Sequence, residues 1–365
     1  MVPLLMTSAD IISLINPIID PDLDRSLGAL GAIHNVEVDG AHVRVYLDVV
    51  QPLHTIARRL DLACTTAIHA SYPSATVEIF VRESGISERT HPALSTIKNL
   101  VAVASGKGGV GKSTIAANLA VALAQQGAAV GLLDADVYGP SQPTMFGLAG
   151  ETMRAEKDDA GRIRGYPNEH YGVAVASIGF VMQRDQAAIL RGPMLAGYFT
   201  TLVEQIMWGE LDYLVFDLPP GTGDIQLTLT QKIPLTGAVV VTTPQEIALA
   251  DVRRSIQMFR KVNVDVLGVI ENMSYFVPPD MPDRRYHIFG EGGGAAVAAE
   301  YDVPLLGQVP IDARIRSGGD EGLPFVLDPE RPDLGDAFRA IASNVVRQVR
   351  RHNASAADAH VQISL

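Results

Sequence analysis

The run Gly106-Lys107-Gly108-Gly109-Val110-Gly111-Lys112-Ser113-Thr114 sets glycines, lysines and hydroxyls in the order G-x-x-x-x-G-K-[ST]. Each residue type answers a need of a bound phosphate chain. Glycines let backbone N–H groups turn inward and approach phosphate oxygens closely. A helix opening behind the loop adds partial positive charge at its N-terminus. Lys112 can reach the β- and γ-phosphates, the Ser113 hydroxyl can bind Mg2+, and Thr114 can contact the α-phosphate. Acids follow at two other places: Asp134-Ala135-Asp136 after Leu132-Leu133, and Asp217 after Tyr213-Leu214-Val215-Phe216. Carboxylates at the C-terminal ends of parallel strands lie where such sheets bind ligands. Asp217 reads as the Mg2+ acid, Asp136 as the group that orients an attacking water, and Asp134 as a support for the metal or the loop. Pro219-Pro220-Gly221-Thr222-Gly223-Asp224 then has the form of a loop that senses the γ-phosphate and rearranges on hydrolysis. Asn272 offers a carboxamide to an adenine edge. Taken singly, these residues also read as a tight glycine turn, capping aspartates and a strand-end asparagine. Their shared placement after apolar strands favours the phosphate site.

Elements able to position these groups are visible in the hydrophobic pattern. Leu100–Ala104 reads as a strand leading into the loop, and a helix runs from Ser113 to about Gln126, where Gly127 can end it. Further strands are expected at Val130–Leu133, Val173–Ser177, Tyr213–Phe216, Ala238–Thr242 and Val266–Ile270. Near-continuous apolar strands alternating with helices predict an α/β domain with a doubly wound, mostly parallel sheet. Residues 1–82 have another character. Ser8 can cap a helix through Ile11, Ile12 and Ile15; Val36–Val38 and Val43–Leu47 form a hairpin about Asp39-Gly40; Ile56 to Ala70 is helical and Thr76–Val81 is a strand. This predicts a small α+β domain. Residues 83–98 read as a linker, 99–351 as the α/β domain, and 352–365 as a flexible tail fraying from about Ala354.

Composition narrows the function classes. The net charge of −12 argues against nucleic acid and anionic membranes as partners, since either would want a basic face. Cys64 is the only cysteine, so neither an intrachain disulfide nor an all-cysteine metal site can form within one chain. The expected role of Cys64 is a core residue. Met1–Ile15 lacks a basic region ahead of its apolar residues, and no signal peptide is expected. No apolar run reaches roughly 18 residues, so no membrane span is expected, and the cytoplasm is the expected compartment.

These motifs together resemble a known family. Lys107-Gly-Gly-Val-Gly-Lys112-Ser-Thr resembles the deviant Walker A loop of the ParA, MinD and nitrogenase-iron-protein ATPases. Asp134-Ala-Asp-Val-Tyr-Gly-Pro-Ser141, Arg191-Gly-Pro-Met194, Trp208-Gly-Glu-Leu-Asp-Tyr213, Asp217–Asp224 and Glu271-Asn-Met-Ser274 are similar, within that class, to the Mrp or ApbC-type iron–sulfur cluster carriers. The resemblance runs from about Asn99 to about Arg350. Residues 1–82, with Asp20-Pro-Asp-Leu23, look like the SufT-like (MIP-type) domain often fused to bacterial members. The resemblance implies a Mg2+-dependent ATPase that works as a homodimer, with Lys107 reaching phosphates bound by the partner subunit. It also implies transfer of an iron–sulfur cluster to apoprotein clients or exchange with other cluster-assembly proteins.

The sequence departs from that family at the cluster site. Many members carry Cys-x-x-Cys after the motif matching Glu271–Ser274, whereas here Pro278 and Met281 occupy those positions. A proline ring offers no ligand atom and a thioether is a poor iron ligand. Where the N-terminal domain often has Cys-Pro, this chain has Gln51-Pro52. Asp280, Asp283 and His287 lie nearby and read as a polar surface loop ahead of a ligand set. Two other functions remain open on sequence alone: a positioning ATPase of the MinD or ParA kind, and a nucleotide-gated scaffold that carries no cluster.

Overall fold

A computed structural model describes residues 6–84, 92–137, 139–181, 202–330 and 332–363. The chain divides into two compact units, residues 1–87 with 346–365, and residues 88–345.

The first unit opens with α1 (Ser8–Ile15) and two short strands, β1 (Ile19–Asp20) and β2 (Arg25–Ser26). Next come β3 (Ile33–Asp39), β4 (His42–Val50), α2 (Ala57–Ser71) and β5 (Thr76–Ser84). β3 and β4 form the expected hairpin, and β5 lies parallel to β4 on its other side. Along β4, buried Val43, Val45, Leu47 and Val49 alternate with less buried neighbours, so one sheet face meets the helices. Ile11, Ile15, Leu60, Cys64 and Ile68 complete that core. The cap of α1 is Thr7 and not Ser8. Thr7 accepts from the Asp10 backbone N–H, and Asp10 accepts in return from the Thr7 N–H at 3.0 Å. Either hydroxyl could cap, but only Thr7 has an acidic residue three positions on to close the reciprocal pair.

The second unit is built on an eight-stranded sheet. Its strands that matter for the site are β6 (Ile97–Ser105), β7 (Val130–Asp134), β11 (Val173–Ser177), β12 (Leu211–Asp217), β13 (Gly237–Thr242) and β14 (Val266–Glu271). Between β7 and β11 lie β8 (Arg154–Lys157), β9 (Ile163–Tyr166) and β10 (Asn168–His170); β15 (Leu305–Gln308) follows β14. The order across the sheet is β10-β11-β7-β12-β6-β13-β14-β15, all parallel except the edge strand β10. Every residue of β7 and β13 is buried, as a sheet covered on both faces requires. The chain first winds outward from β6 to β7 and β11, then returns to β12 and crosses to β13. β6 therefore lies at the switch point, where a parallel sheet leaves a crevice. The sequence pattern located six of these strands but not β15, β10 or the separate β8–β9 hairpin, which are short and partly exposed.

The helices after β6 are α3 (Lys112–Gln125), α4 (Gln142–Met145), α5 (Asp224–Lys232), α6 (Glu246–Lys261), α7 (Gly293–Glu300), α8 (Ala313–Glu321) and α9 (Pro332–Ile363). α3 is buried from Ile115 through Leu123, and its four alanines in that span let it pack closely on the sheet. It ends at Gln126, with Gly127 at φ +93°, as read from sequence.

α9 corrects the expected C-terminal tail. Helix continues through Ile363, and residues 346–365 belong to the first unit. Arg350 is fully buried there, donating to Asp20 at 2.9 and 2.7 Å and to Asp22 at 2.7 Å. Alanine favours helix, so the Ala- and Ser-rich stretch that reads as a weak tail extends α9 instead. The expected linker is also shortened, since β5 runs to Ser84 and β6 begins at Ile97.

Candidate active site

Gly106 to Gly111 leaves the C-terminal end of β6 as a loop whose shape depends on glycine. Gly111 caps α3 in the left-handed region at φ +81°, and a Cβ there would lie 2.2 Å from the Asn272 amide nitrogen. A Cβ on Gly106 would strike the Asp251 backbone of α6 at 2.5 Å. Side chains at either place would push the loop off its supports.

Lys112 is the first residue of α3 and is only 6% exposed. Its Nζ donates to Asp217 and to Ser113 Oγ, the latter at 3.1 Å, and stands 3.8 Å from Asp136 Oδ2. The lysine, the Ser113 hydroxyl, Asp136 and Asp217 therefore meet at one point. β-Register explains the convergence: Asp217 pairs with Asp134 across neighbouring strands, and Asp217 lies beside Val103 of β6, just ahead of the loop. Lys107 is half-buried, its carbonyl accepts from Ser105 Oγ at 2.9 Å, and among the described residues its ammonium has no ion pair. Gly108 and Gly109 are exposed at the loop tip, Val110 is buried beneath it, and Thr114 is half-buried in the first turn of α3.

Asp134 is fully buried. It accepts from the backbone of Asp136, Ser141 and Gln142 at 3.2, 3.1 and 3.1 Å, and from Ser177 Oγ at 3.0 Å. Burial and the neighbouring Asp217 charge push its carboxyl up to about 7, against the pull of the Gln142 N–H, Lys112 and Ser177. It braces the segment that carries Asp136.

Asn272 lies at the end of β14 and makes a contact within the chain. Its Nδ2 donates to the Val110 carbonyl at 2.8 Å, so the amide holds the phosphate loop from the end of β14. The adjacent Glu271 is buried and accepts from Ser274 Oγ at 2.5 Å, from the Gly294 N–H at 2.5 Å and from Gln308 Nε2 at 2.8 Å. That network fixes the base of the segment beginning at Tyr275. The loop after Asp217 is pinned to β6, with Leu218 N–H donating to Val103 and Gly221 N–H to Ser105.

Two glutamines escaped the sequence reading. Gln142 is fully buried against Asp217 and Ser113, and Gln226, in α5, is buried with neither amide atom partnered among the described residues. Nothing in their local sequence sets them apart from loop or helix-surface glutamines.

The donor set suits Mg2+. Ser113 Oγ and the Asp217 carboxylate are hard oxygen ligands, both within reach of a single ammonium, and the buried Ser141 Oγ and Gln142 Oε1 beside them lack partners among the described residues. It does not suit an iron–sulfur cluster. Pro278 is half-buried in a turn in which Met281 N–H donates to its carbonyl, and Met281 is 44% exposed. His287 faces the Ser274 carbonyl and Glu291; among the described residues no group of three metal-ligating side chains gathers, there or elsewhere. Cys64 is buried in the first unit's core, where burial and Asp61 push its thiol up to about 12. Arg191–Met194 lies outside the described residues.

Comparison with known proteins agrees with this geometry. A family model described as ParA: NUBPL iron-transfer P-loop NTPase matches residues 96–346. An iron-sulfur cluster carrier protein of Synechocystis sp. is 44% identical over 348 residues, covering 94% of this chain and 98% of that relative. A nucleotide-binding protein of Archaeoglobus fulgidus, solved in complex with ADP, is 40% identical, with a TM-score of 0.57 over 65% of this chain and 91% of its own. The cell division ATPase MinD of Pyrococcus furiosus covers 68% of this chain and 98% of its own at TM-score 0.50, but at 22% identity that likeness concerns the fold alone.

Proposed function

This chain belongs to the NUBPL iron-transfer family of P-loop NTPases, and on that premise we propose that it hydrolyses Mg–ATP to drive delivery of iron–sulfur clusters to apoproteins. The observation that carries the reading is the convergence of Lys112, Ser113, Asp136 and Asp217 at the end of the switch-point strands. ATP is the substrate. Lys112 exchanges its carboxylate contacts for the β- and γ-phosphate oxygens, as a lysine can because it is a compact, movable point charge. The loop N–H groups from Gly106 to Ser113 take the remaining phosphate oxygens, with Thr114 toward the α-phosphate. Asp136 orients the attacking water. Ser113 and Asp217 hold Mg2+, which when bound neutralises charge building on the phosphoryl group. Asn272 keeps Val110 in place with one amide hydrogen, leaving its oxygen for the adenine.

Lys107 supports the homodimer part of the reading. Its ammonium has no ion pair within its own chain among the described residues and is free to meet the partner subunit's nucleotide. The cluster is cargo, and Pro278 and Met281 cannot hold it. The chain therefore assists transfer through its nucleotide cycle while apoprotein clients or other assembly proteins supply the thiolates. No helix among the described residues is long and apolar enough to cross a membrane, and the acidic charge disfavours nucleic acid; both are compatible with work in the cytoplasm. The full-length relatives favour this reading over the MinD-like one, which has only the shared fold behind it.

The first test is phosphate release from ATP by the purified chain with Mg2+ and with EDTA. Release that requires Mg2+ supports the reading; release that is absent, or indifferent to EDTA, overturns it.

A further inference from the structure

We propose that Gln142 is a positioning residue for the magnesium ligands of this site, tying Asp217, Ser113 and Asp134 into one unit. The inference rests on the reading of the site as one for Mg–ATP. A primary carboxamide brings two donor hydrogens and an acceptor oxygen, and Gln142 is fully buried, so each of these groups left unused is costly. Gln142 Nε2 uses both hydrogens, donating to Asp217 Oδ2 at 2.8 Å and to the Ser113 carbonyl at 3.0 Å. Its backbone N–H donates to Asp134 Oδ2 at 3.1 Å. One residue at the start of α4 thus binds the ends of β7 and β12 and the first turn of α3.

The consequence for Asp217 is orientation. Lys112 donates to Oδ1 and Gln142 to Oδ2, so the carboxylate is held from both sides. If Lys112 turns to a phosphate, Gln142 still fixes the plane of the acid. Ser113 is held likewise, its carbonyl by Gln142 and its hydroxyl facing Lys112. Ligands fixed before the metal arrives need no reorganisation to receive it.

The other end of the amide points the same way. Among the described residues, Gln142 Oε1 is buried without a donor and the neighbouring Ser141 Oγ is buried without a partner. Orphaned polar atoms beside a charged cluster are costly unless a ligand completes them. Gln142 therefore has a donor end already engaged with the acid and an acceptor end left for a donor that enters with the nucleotide.

The test compares wild type with Gln142→Met, which keeps the volume and removes the donors, and Gln142→Glu, which turns a carboxylate toward Asp217. ATP affinity is titrated across Mg2+ concentrations and in EDTA, with melting curves to confirm folding. For Gln142→Met the expected result is a loss on the order of tenfold in Mg–ATP affinity, with affinity in EDTA nearly unchanged. Gln142→Glu loses more, because like charges meet. An equal loss with and without Mg2+ would make Gln142 a support of the loop alone and overturn the proposal, as would variants indistinguishable from wild type. Failure of wild type itself to bind Mg–ATP would instead overturn the underlying reading, and the inference with it.

Discussion

Lys112 lies against Asp217 and Asp136 in one unit of this chain, and Arg350 against Asp20 and Asp22 in the other. Both cations are buried among carboxylates, yet the two clusters are finished to different degrees. The Arg350 fork meets two oxygens of Asp20 and one of Asp22, and its Nε reaches the Val50 carbonyl at 3.2 Å. Asp20 is further capped by the Asp22 and Leu23 N–H groups. Planar guanidinium geometry suits such saturation, and the result is a clamp. Among the described residues, the lysine donates only to Asp217 and Ser113 Oγ, and Ser141 Oγ and Gln142 Oε1 beside it have no hydrogen-bond partner, as Arg347 Nε near Asp22 has none. A point charge on a flexible stem among incompletely satisfied groups is suited to exchange partners. The difference separates a cluster built to hold the fold from one built to bind a ligand.

Four experiments sharpen that contrast, in descending order of expected effect. Arg350→Ala leaves Asp20 buried without its cation, while Arg59 and Arg347 still stand 3.6 and 3.7 Å from Asp22, and should cost about 3 kcal/mol in the first unit. Hydrogen exchange along β4 should speed up while Mg–ATP binding stays, and Arg350→Lys should not restore protection, since it lacks the fork. Unchanged exchange would mean the clamp is dispensable. Lys112→Ala should do the reverse: a loss of about 3 kcal/mol in Mg–ATP affinity by calorimetric titration, from two charged hydrogen bonds to phosphate. Retained affinity would remove Lys112 from the binding machinery. Asp136→Ala should still bind ATP but turn it over on the order of a hundredfold more slowly. Normal turnover in that variant would show that another group orients the water.

The smallest effect concerns pH. Burial acts to raise the Asp20 carboxyl, but the hydrogen bonds and charge of Arg350 outweigh it and hold Asp20 below the usual carboxylate range. A folded value lower than the unfolded one gives stability that is present above the unfolded value, near 3.9 for an ordinary aspartate, and is lost as pH falls through the folded value. Protection of the first unit should therefore hold from neutral pH down to that range and weaken below it. Asp20→Asn should be less stable at neutral pH and lose less on acidification. An identical acid response in that variant would contradict the assignment.

Much of the nucleotide end was legible in the sequence because its parts are local. The glycine spacing, the lysine and hydroxyl after it, and apolar strands ending in aspartate all lie within short windows, and β-register then brings them together. What was not legible depends on distant partners. Gln142 takes its meaning from Ser113 and Asp217, and Arg350 meets an aspartate 330 residues away. The C-terminal helix was misread for the same reason, since its stabilising contacts lie at the other end of the chain. Asn272 stood where expected, but contacts the Val110 carbonyl, a backbone partner that spacing cannot reveal. β15 was lost because Leu305-Leu306-Gly307-Gln308 is four residues long with a glycine inside it.

In the proposed function this lysine site drives cluster delivery even though Pro278 and Met281 stand where thiolates were expected. Its most direct test is the activation of an apoprotein that requires a [4Fe–4S] cluster, followed anaerobically with iron, sulfide and the chain, with and without Mg–ATP. Wild type should accelerate activation only when Mg–ATP is present, and Lys112→Ala should not accelerate it at all. Activation that proceeds equally with either protein, or without nucleotide, would contradict it.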